Sequence, residues 1–321
     1  MLSILLMEKQ GIDVIPINFN IGVFFKKYIR ENGKLTYKKP VPFKRPVTVI
    51  DISDDFLKML QKPAHGYGAN MNPCIDCKIM MMQIAKALME EYDAGFVIRG
   101  EVQGQRPMTQ NSRSMNVIKN ESGLEGFLLR PLSAKLLPET EPEKLGWVDR
   151  SQLLDIEGRG RNRQLKLAQE FGIKDIIESP GGGCLLTDEN YSRRLKDMIE
   201  HKAGAEIKER DMFLLSTGRH LRINGKKFII GRDKEENERL LQTINDEAVT
   251  FELAQMPGPL GICFDPLTEM DISVLASVLI HYSKAKTESS AKVKVIKRGQ
   301  EEIIETGPAT EVFCESARVD R

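Results

Sequence analysis

The first two hundred residues alternate between short apolar, β-branched runs and longer segments of helical periodicity, several of them closed by a glycine. Residues 1–10 read as a helix stopped by Gly11, and 13–19 and 47–52 read as strands. Residues 74–91 carry Ile79, Met82, Ile84, Ala85 and Leu88 at helical spacing, and 96–98 form a short strand ended by Gly100. Helices over 159–171 and 190–202 are closed by Gly172 and Gly204. Strands separated by helical segments predict a mainly parallel sheet covered on both faces. After Gly204 the pattern changes. Residues 220–223 and 227–230 flank Asn224-Gly225, the strongest short-range hairpin signal. A charged helix over 233–243, a strand over 249–253, an apolar helix over 271–284 and strands over 292–297 and 301–305 follow. The expected organisation is a doubly wound α/β domain over 1–204 and a smaller α+β domain over 205–321.

Net charge does not indicate a partner, because 47 Lys and Arg stand against 46 Asp and Glu; only local clusters can. No apolar run approaches the ~20 residues that cross a bilayer. The opening stretch lacks the basic n-region and small-residue cleavage site of a secretory signal. Five cysteines, an odd number in a long chain, are not a disulfide framework. These features predict a cytoplasmic protein with free thiols and no membrane partner.

Three of those thiols have informative neighbours. Asn72-Pro73-Cys74-Ile75-Asp76-Cys77-Lys78 places a Cys-x-x-Cys pair at the start of a helix, with Pro73 suited to its first turn. Helix N–H groups and Lys78 are expected to favour the Cys77 thiolate. Cys184 follows Pro180-Gly181-Gly182-Gly183, a loop that lets backbone approach a ligand closely. A structural zinc site usually takes four protein ligands, and no fourth is evident nearby. Three soft ligands with one open position suit an iron–sulfur cluster better, with Cys74, Cys77 and Cys184 as its ligands. A structural zinc site or inert buried thiols are the alternatives. Cys263 and Cys314, in apolar strand-like settings, are expected in the core.

Four motifs occur in one order: Asn72-Pro73-Cys74-Ile75-Asp76-Cys77-Lys78, Gly100-Glu101-Val102-Gln103-Gly104-Gln105-Arg106-Pro107-Met108-Thr109-Gln110, Leu129-Arg130-Pro131-Leu132 and Pro180-Gly181-Gly182-Gly183-Cys184. Over residues 1–200 this resembles tRNA thiouridine synthases, PP-loop ATP pyrophosphatases of the adenine-nucleotide alpha-hydrolase (HUP) fold. The resemblance implies that ATP with Mg²⁺ adenylates a uridine carbonyl and that sulfur then displaces AMP. It implies Cys77 and Cys184 as the catalytic sulfur carriers, supplied by a cysteine desulfurase or inorganic sulfide. It places Gly100 and Gln105 beside the nucleotide and Asn18 near adenine. The sequence departs from the family in lacking the phosphate-binding Ser-Gly-Gly-x-Asp-Ser loop. Residues 1–11 read as the helix that comes after that loop, so the expectation is an N-terminally truncated chain with Met1 an internal methionine.

Eight basic residues and one acidic residue fall within 26–45, interleaved with Phe24, Phe25, Tyr28, Tyr37 and Phe43 just before and within it. Lysines and arginines neutralise phosphates and aromatics stack on unpaired bases, so Lys26, Lys27, Arg30, Lys38 and Lys39 are candidate RNA contacts. Arg159, Arg161 and Arg163 form a second cluster, with Arg150 and Lys166 nearby. The alternative for both is a solvated face. In the C-terminal part, Ser216-Thr217-Gly218-Arg219-His220-Leu221-Arg222-Ile223, Ile230-Gly231-Arg232-Asp233-Lys234-Glu235-Glu236-Asn237 and Leu279-Ile280-His281-Tyr282-Ser283-Lys284-Ala285-Lys286 resemble the RNA-binding domain of the NFACT family. That resemblance implies recruitment of a tRNA substrate. Two other readings are a non-catalytic RNA-binding protein with a degenerate nucleotide domain and a sulfur transferase acting on a small adenylated metabolite.

Overall fold

Parallel pairing occurs in two separate places near the N-terminus. The computed structural model describes residues 1–22, 28–31, 34–38, 40–176, 184–202 and 207–320. Helix α1 (Leu2–Lys9) leads to β1 (Ile17–Asn20), and a hairpin of β2 (Tyr28–Glu31) and β3 (Lys34–Tyr37) precedes β4 (Thr48–Asp51). β1 pairs in parallel with β4, Ile17 opposite Thr48. α2 (Ser53–Gln61) and α3 (Cys74–Glu91) separate this pair from β5 (Val97–Ile98), which after α4 (Ser112–Glu121) pairs in parallel with β6 (Leu128–Leu129). Among the described residues each parallel sheet has two strands, and a continuous doubly wound sheet is not shown. A cavity of about 890 Å³ has β1 residues Ile17 and Phe19 and β5 residues Val97 and Ile98 among its walls.

Burial orients the helices. In α3, Ile79, Met82 and Ala85 are buried and pack with Ile118, Leu124 and Leu128. Leu6 and Met7 of α1 join Val102, Leu129 and Leu153 in a second cluster. Short α5 (Glu141–Lys144), whose Thr140 and Glu143 form a capping box, and α6 (Asn162–Glu170) complete this part.

The chain divides into two compact units, Met1–Cys184 and Leu185–Arg321, so the division lies before α7 (Glu189–Lys202) and not after residue 204. The cause is the packing of α7 against the C-terminal segments. Tyr191 donates its hydroxyl to the Met212 carbonyl at 3.1 Å and Arg194 donates to that of Leu215 at 3.0 Å. Asp197 accepts from Arg222 at 2.7 Å and from Lys227 at 2.5 Å.

After α8 (Glu209–Leu215), β7 (Arg219–Ile223) and β8 (Lys226–Ile230) form the expected hairpin. Asn224 (φ 49°) and Gly225 (φ 77°) both occupy the left-handed region, the requirement of a type I′ turn. α9 (Lys234–Leu241) starts at Asp233, whose side chain accepts from the Glu236 N–H. β9 (Val249–Leu253), β10 (Gly261–Cys263), α10 (Glu269–His281), β11 (Ala291–Lys297), β12 (Gln300–Thr306) and α11 (Glu311–Ser316) come next. The six strands form one antiparallel sheet in the order β12-β11-β9-β10-β8-β7. Phe228 and Phe251 meet edge-to-face in its core, beside Leu275 and Leu279 of α10. Cys263 and Cys314 are fully buried in that core. Among the described residues no helix is long and apolar enough to cross a membrane.

Candidate functional site

The start of α3 is held by the residue between its two cysteines. Asp76 is buried and accepts from the backbone N–H groups of Ala64 (3.0 Å) and His65 (3.1 Å). His65 bridges Asp76 and Glu121 through its two ring nitrogens, at 3.2 and 3.1 Å. The hydrogen bond to Asp76 is the main reason its pKa is raised. With that turn fixed, Cys74 and Cys77 share one helix face at spacing i,i+3.

Cys184 returns to the same place. Cys74 and Cys184 both lie within electrostatic range of Cys77, and each disfavours its thiolate. The three thiols therefore share one neighbourhood. Among the described residues, though, no group of three His, Cys, Asp or Glu side chains is gathered so as to hold a single metal ion.

The electrostatics of Cys77 reverse the expectation of a stabilised thiolate. Burial, with the neighbouring thiols, pushes its pKa up to about 12, against weaker opposition from Arg99 and Lys78. Its surface is not wholly covered, but its sulfur is closely surrounded by protein, and that crowding desolvates the thiolate. Lys78 is also already engaged. Its ammonium is 2.6 Å from Glu101 Oε1 and 2.8 Å from Thr109 Oγ1.

Glu101 is the centre of a buried ionic network. Arg130 Nε lies 2.8 Å from its other oxygen and Arg99 lies 4.0 Å away. Burial opposes ionisation of Glu101, but Lys78, Arg99 and Arg130 outweigh it and hold the pKa at about 2. Arg130 also donates to the Met115 carbonyl at 3.1 Å. Three cations against one carboxylate leave this set positive beside the thiols, a field complementary to anionic sulfur. The donor set fits a [4Fe–4S] cluster chemically, because bound cationic iron removes the cost of ionising Cys77.

The other expected site residues are spread over the N-terminal unit. Asn18 lies in β1 opposite Val49. Gly100 follows β5, where a Cβ would come 3.3 Å from Ser3 Oγ. Gln105 is buried in a reciprocal amide pair with Gln164, at 3.0 and 3.3 Å. Lys38 and Arg159 are exposed, and Arg161 is half-buried. Arg163 is paired with Asp155 at 2.6 Å and Arg150 with Glu143 at 2.5 Å, which restrains both. Lys26, Lys27, Lys39 and the glycines of 181–183 lie outside the described residues, as does the side chain of Arg30.

Sequence reasoning missed the network that joins Lys78, Arg99 and Arg130 to Glu101. One signal was available: Arg130 interrupts the apolar run Phe127-Leu128-Leu129, and an arginine buried in such a run needs an anionic partner.

A solved structure of the C-terminal part of the fibronectin/fibrinogen-binding protein from Streptococcus suis is similar at 16% identity, over 49% of this chain and 76% of that one, with a TM-score of 0.30. No curated protein matches the chain. Residues 218–316 match the family model described as the NFACT protein RNA binding domain, and RNA is the partner this match supports for the C-terminal unit.

Proposed function

We propose that the protein binds RNA through its C-terminal unit and transfers sulfur to a uridine of tRNA from the three-thiol site of its N-terminal unit. The observation that carries this reading is the return of Cys184 to the electrostatic neighbourhood of Cys74 and Cys77. In this reading the uridine carbonyl oxygen attacks the α-phosphate of ATP and releases pyrophosphate. A sulfide sulfur then adds at that carbon, and AMP leaves with the oxygen. Cys74, Cys77 and Cys184 would hold the iron–sulfur cluster, which supplies an open iron for sulfide. Arg99 and Lys78 supply positive charge beside the sulfurs, and Glu101 keeps both cations in place. ATP and Mg²⁺ enter through the resemblance of residues 1–200.

A specific observation favours the non-catalytic RNA-binding reading: Cys77 alone, at about 12, is a protonated thiol and a poor nucleophile at neutral pH. The deciding experiment purifies the chain anaerobically, measures iron and acid-labile sulfide, and incubates it with tRNA, ATP and sulfide. Thiouridine that appears by mass spectrometry and disappears in Cys77→Ser and Cys184→Ser supports sulfur transfer. RNA binding without thiouridine under those conditions refutes it in favour of the non-catalytic reading.

A further inference from the structure

Arg219 opens β7 in an unusual electrostatic setting. Its guanidinium lies over the ring of Tyr282, 5.1 Å from the centroid, within the ~6 Å range of a cation–π contact. Two other arginines, Arg232 after β8 and Arg318 after α11, lie within electrostatic range of it. These two have carboxylate partners. Arg232 is paired with Glu236, and Arg318 with Asp320 at 3.2 Å and Glu315 at 3.7 Å. Among the described residues Arg219 has no such partner, and Glu236 reaches it only as a more distant charge. Burial is the largest cause and depresses its pKa; Tyr282 and Glu236 oppose it, and the two like charges add to it.

The surroundings were assembled from distant parts of the chain. The Arg222 N–H donates to the Ala317 carbonyl at 2.8 Å and the Val319 N–H to that of His220 at 3.0 Å. These bonds lay the segment carrying Arg318 along β7. Arg232 lies two residues beyond Ile230, which is paired with Arg219. Tyr282 caps the C-terminal end of α10, where His281 packs edge-to-face against it at 4.9 Å. Its hydroxyl is buried and, among the described residues, has no hydrogen-bond partner. A partly desolvated guanidinium without a carboxylate, held over an aromatic ring, is poised for an anion from outside. Its rigid fork of N–H donors matches a phosphate oxygen pair.

We infer that Arg219, lying over the Tyr282 ring and flanked by Arg232 and Arg318, is an anchor for a backbone phosphodiester of bound RNA. This rests on the RNA-binding reading of the C-terminal unit and assigns its contact to particular side chains. Arg219 makes the phosphate contact, Arg232 and Arg318 add positive potential, and Tyr282 is a positioning residue that holds the guanidinium.

The test measures binding of bulk transfer RNA to the full chain across a potassium chloride series, with thermal melts of every variant. Arg219→Ala should weaken binding about tenfold or more at low salt, the size of a lost charge-assisted hydrogen bond. It should also reduce the slope of log affinity against log salt by about 0.7–0.9, one phosphate contact. Arg219→Lys keeps the charge, so it should keep the slope and lose about threefold in affinity through loss of the fork. Tyr282→Leu should weaken binding with the slope unchanged, and Tyr282→Phe should bind as the wild type does. If Arg219→Ala fails to fold, Arg219→Lys carries the test, and wild-type affinity in that variant overturns the assignment. Unchanged affinity and slope in a folded Arg219→Ala also overturn it and leave the RNA reading intact. A wild-type chain that does not bind at low salt overturns the RNA reading and this assignment together.

Discussion

Replacing Glu101 with glutamine should destabilise the N-terminal unit by about 3 kcal/mol near neutral pH. Glu101 is buried, and its two oxygens are taken by Lys78 at 2.6 Å and Arg130 at 2.8 Å. Its pKa falls from an ordinary 4.5 to about 2, and at ~1.36 kcal/mol per unit that shift corresponds to about 3 kcal/mol. The sign follows from the depression. The contribution is complete above the unfolded value of 4.5 and is lost as the pH falls toward 2. A second route agrees: removing one partner of a buried ion pair costs ~3–5 kcal/mol, because the remaining charges stay buried and unpaired. The assay is guanidinium unfolding followed by the fluorescence of Trp147. As the sole tryptophan, within Met1–Cys184, it reports on that unit even where the whole chain does not unfold in one step. The gap between wild type and Glu101→Gln should be full at about pH 7 and close progressively between about pH 5 and pH 2. A loss under about 1 kcal/mol at neutral pH, or a gap constant down to about pH 2, would refute this account of the network.

Two further outcomes are expected at the same site. Cys77, with its thiol at about 12, should react with iodoacetamide roughly fifty-fold more slowly at neutral pH in the folded chain than when unfolded, since the small thiolate fraction outweighs its higher intrinsic nucleophilicity. Equal rates in residue-resolved mass spectrometry would contradict the burial argument. His65, its pKa raised above an ordinary 6.5 chiefly by Asp76, contributes stability that is full below 6.5 and lost as pH rises through the folded value. The Trp147 transition should therefore weaken from about pH 6 upward in the wild type, and His65→Ala should lack that component; an identical pH profile in the variant would count against it.

Elements specified by local physics were legible in the sequence. The helix expected over 74–91 is α3, Cys74–Glu91, because its apolar spacing lies within the segment itself and Pro73 directly precedes it as the N-cap. The Asn224-Gly225 turn is equally local, since the two left-handed residues decide the hairpin. Strand length was less legible. The apolar run over 13–19 pairs only from Ile17 to Asn20, because a strand extends as far as a partner does, and β4 offers four residues in register. The ordering of the three cysteines was visible, but the ionisation of Cys77 was not. Helix position and Lys78 favour a thiolate, whereas burial by the surrounding fold opposes it more strongly, and Glu101, from a distant segment, engages the lysine. The unit boundary was decided in the same way, by the hydrogen bonds that tie α7 to α8 and β7. Arg219 and Tyr282 lie far apart in sequence, and Arg318 farther still. Only the closing of the C-terminal sheet brings them together, because burial and Coulomb interaction depend on distance in space and not on separation along the chain.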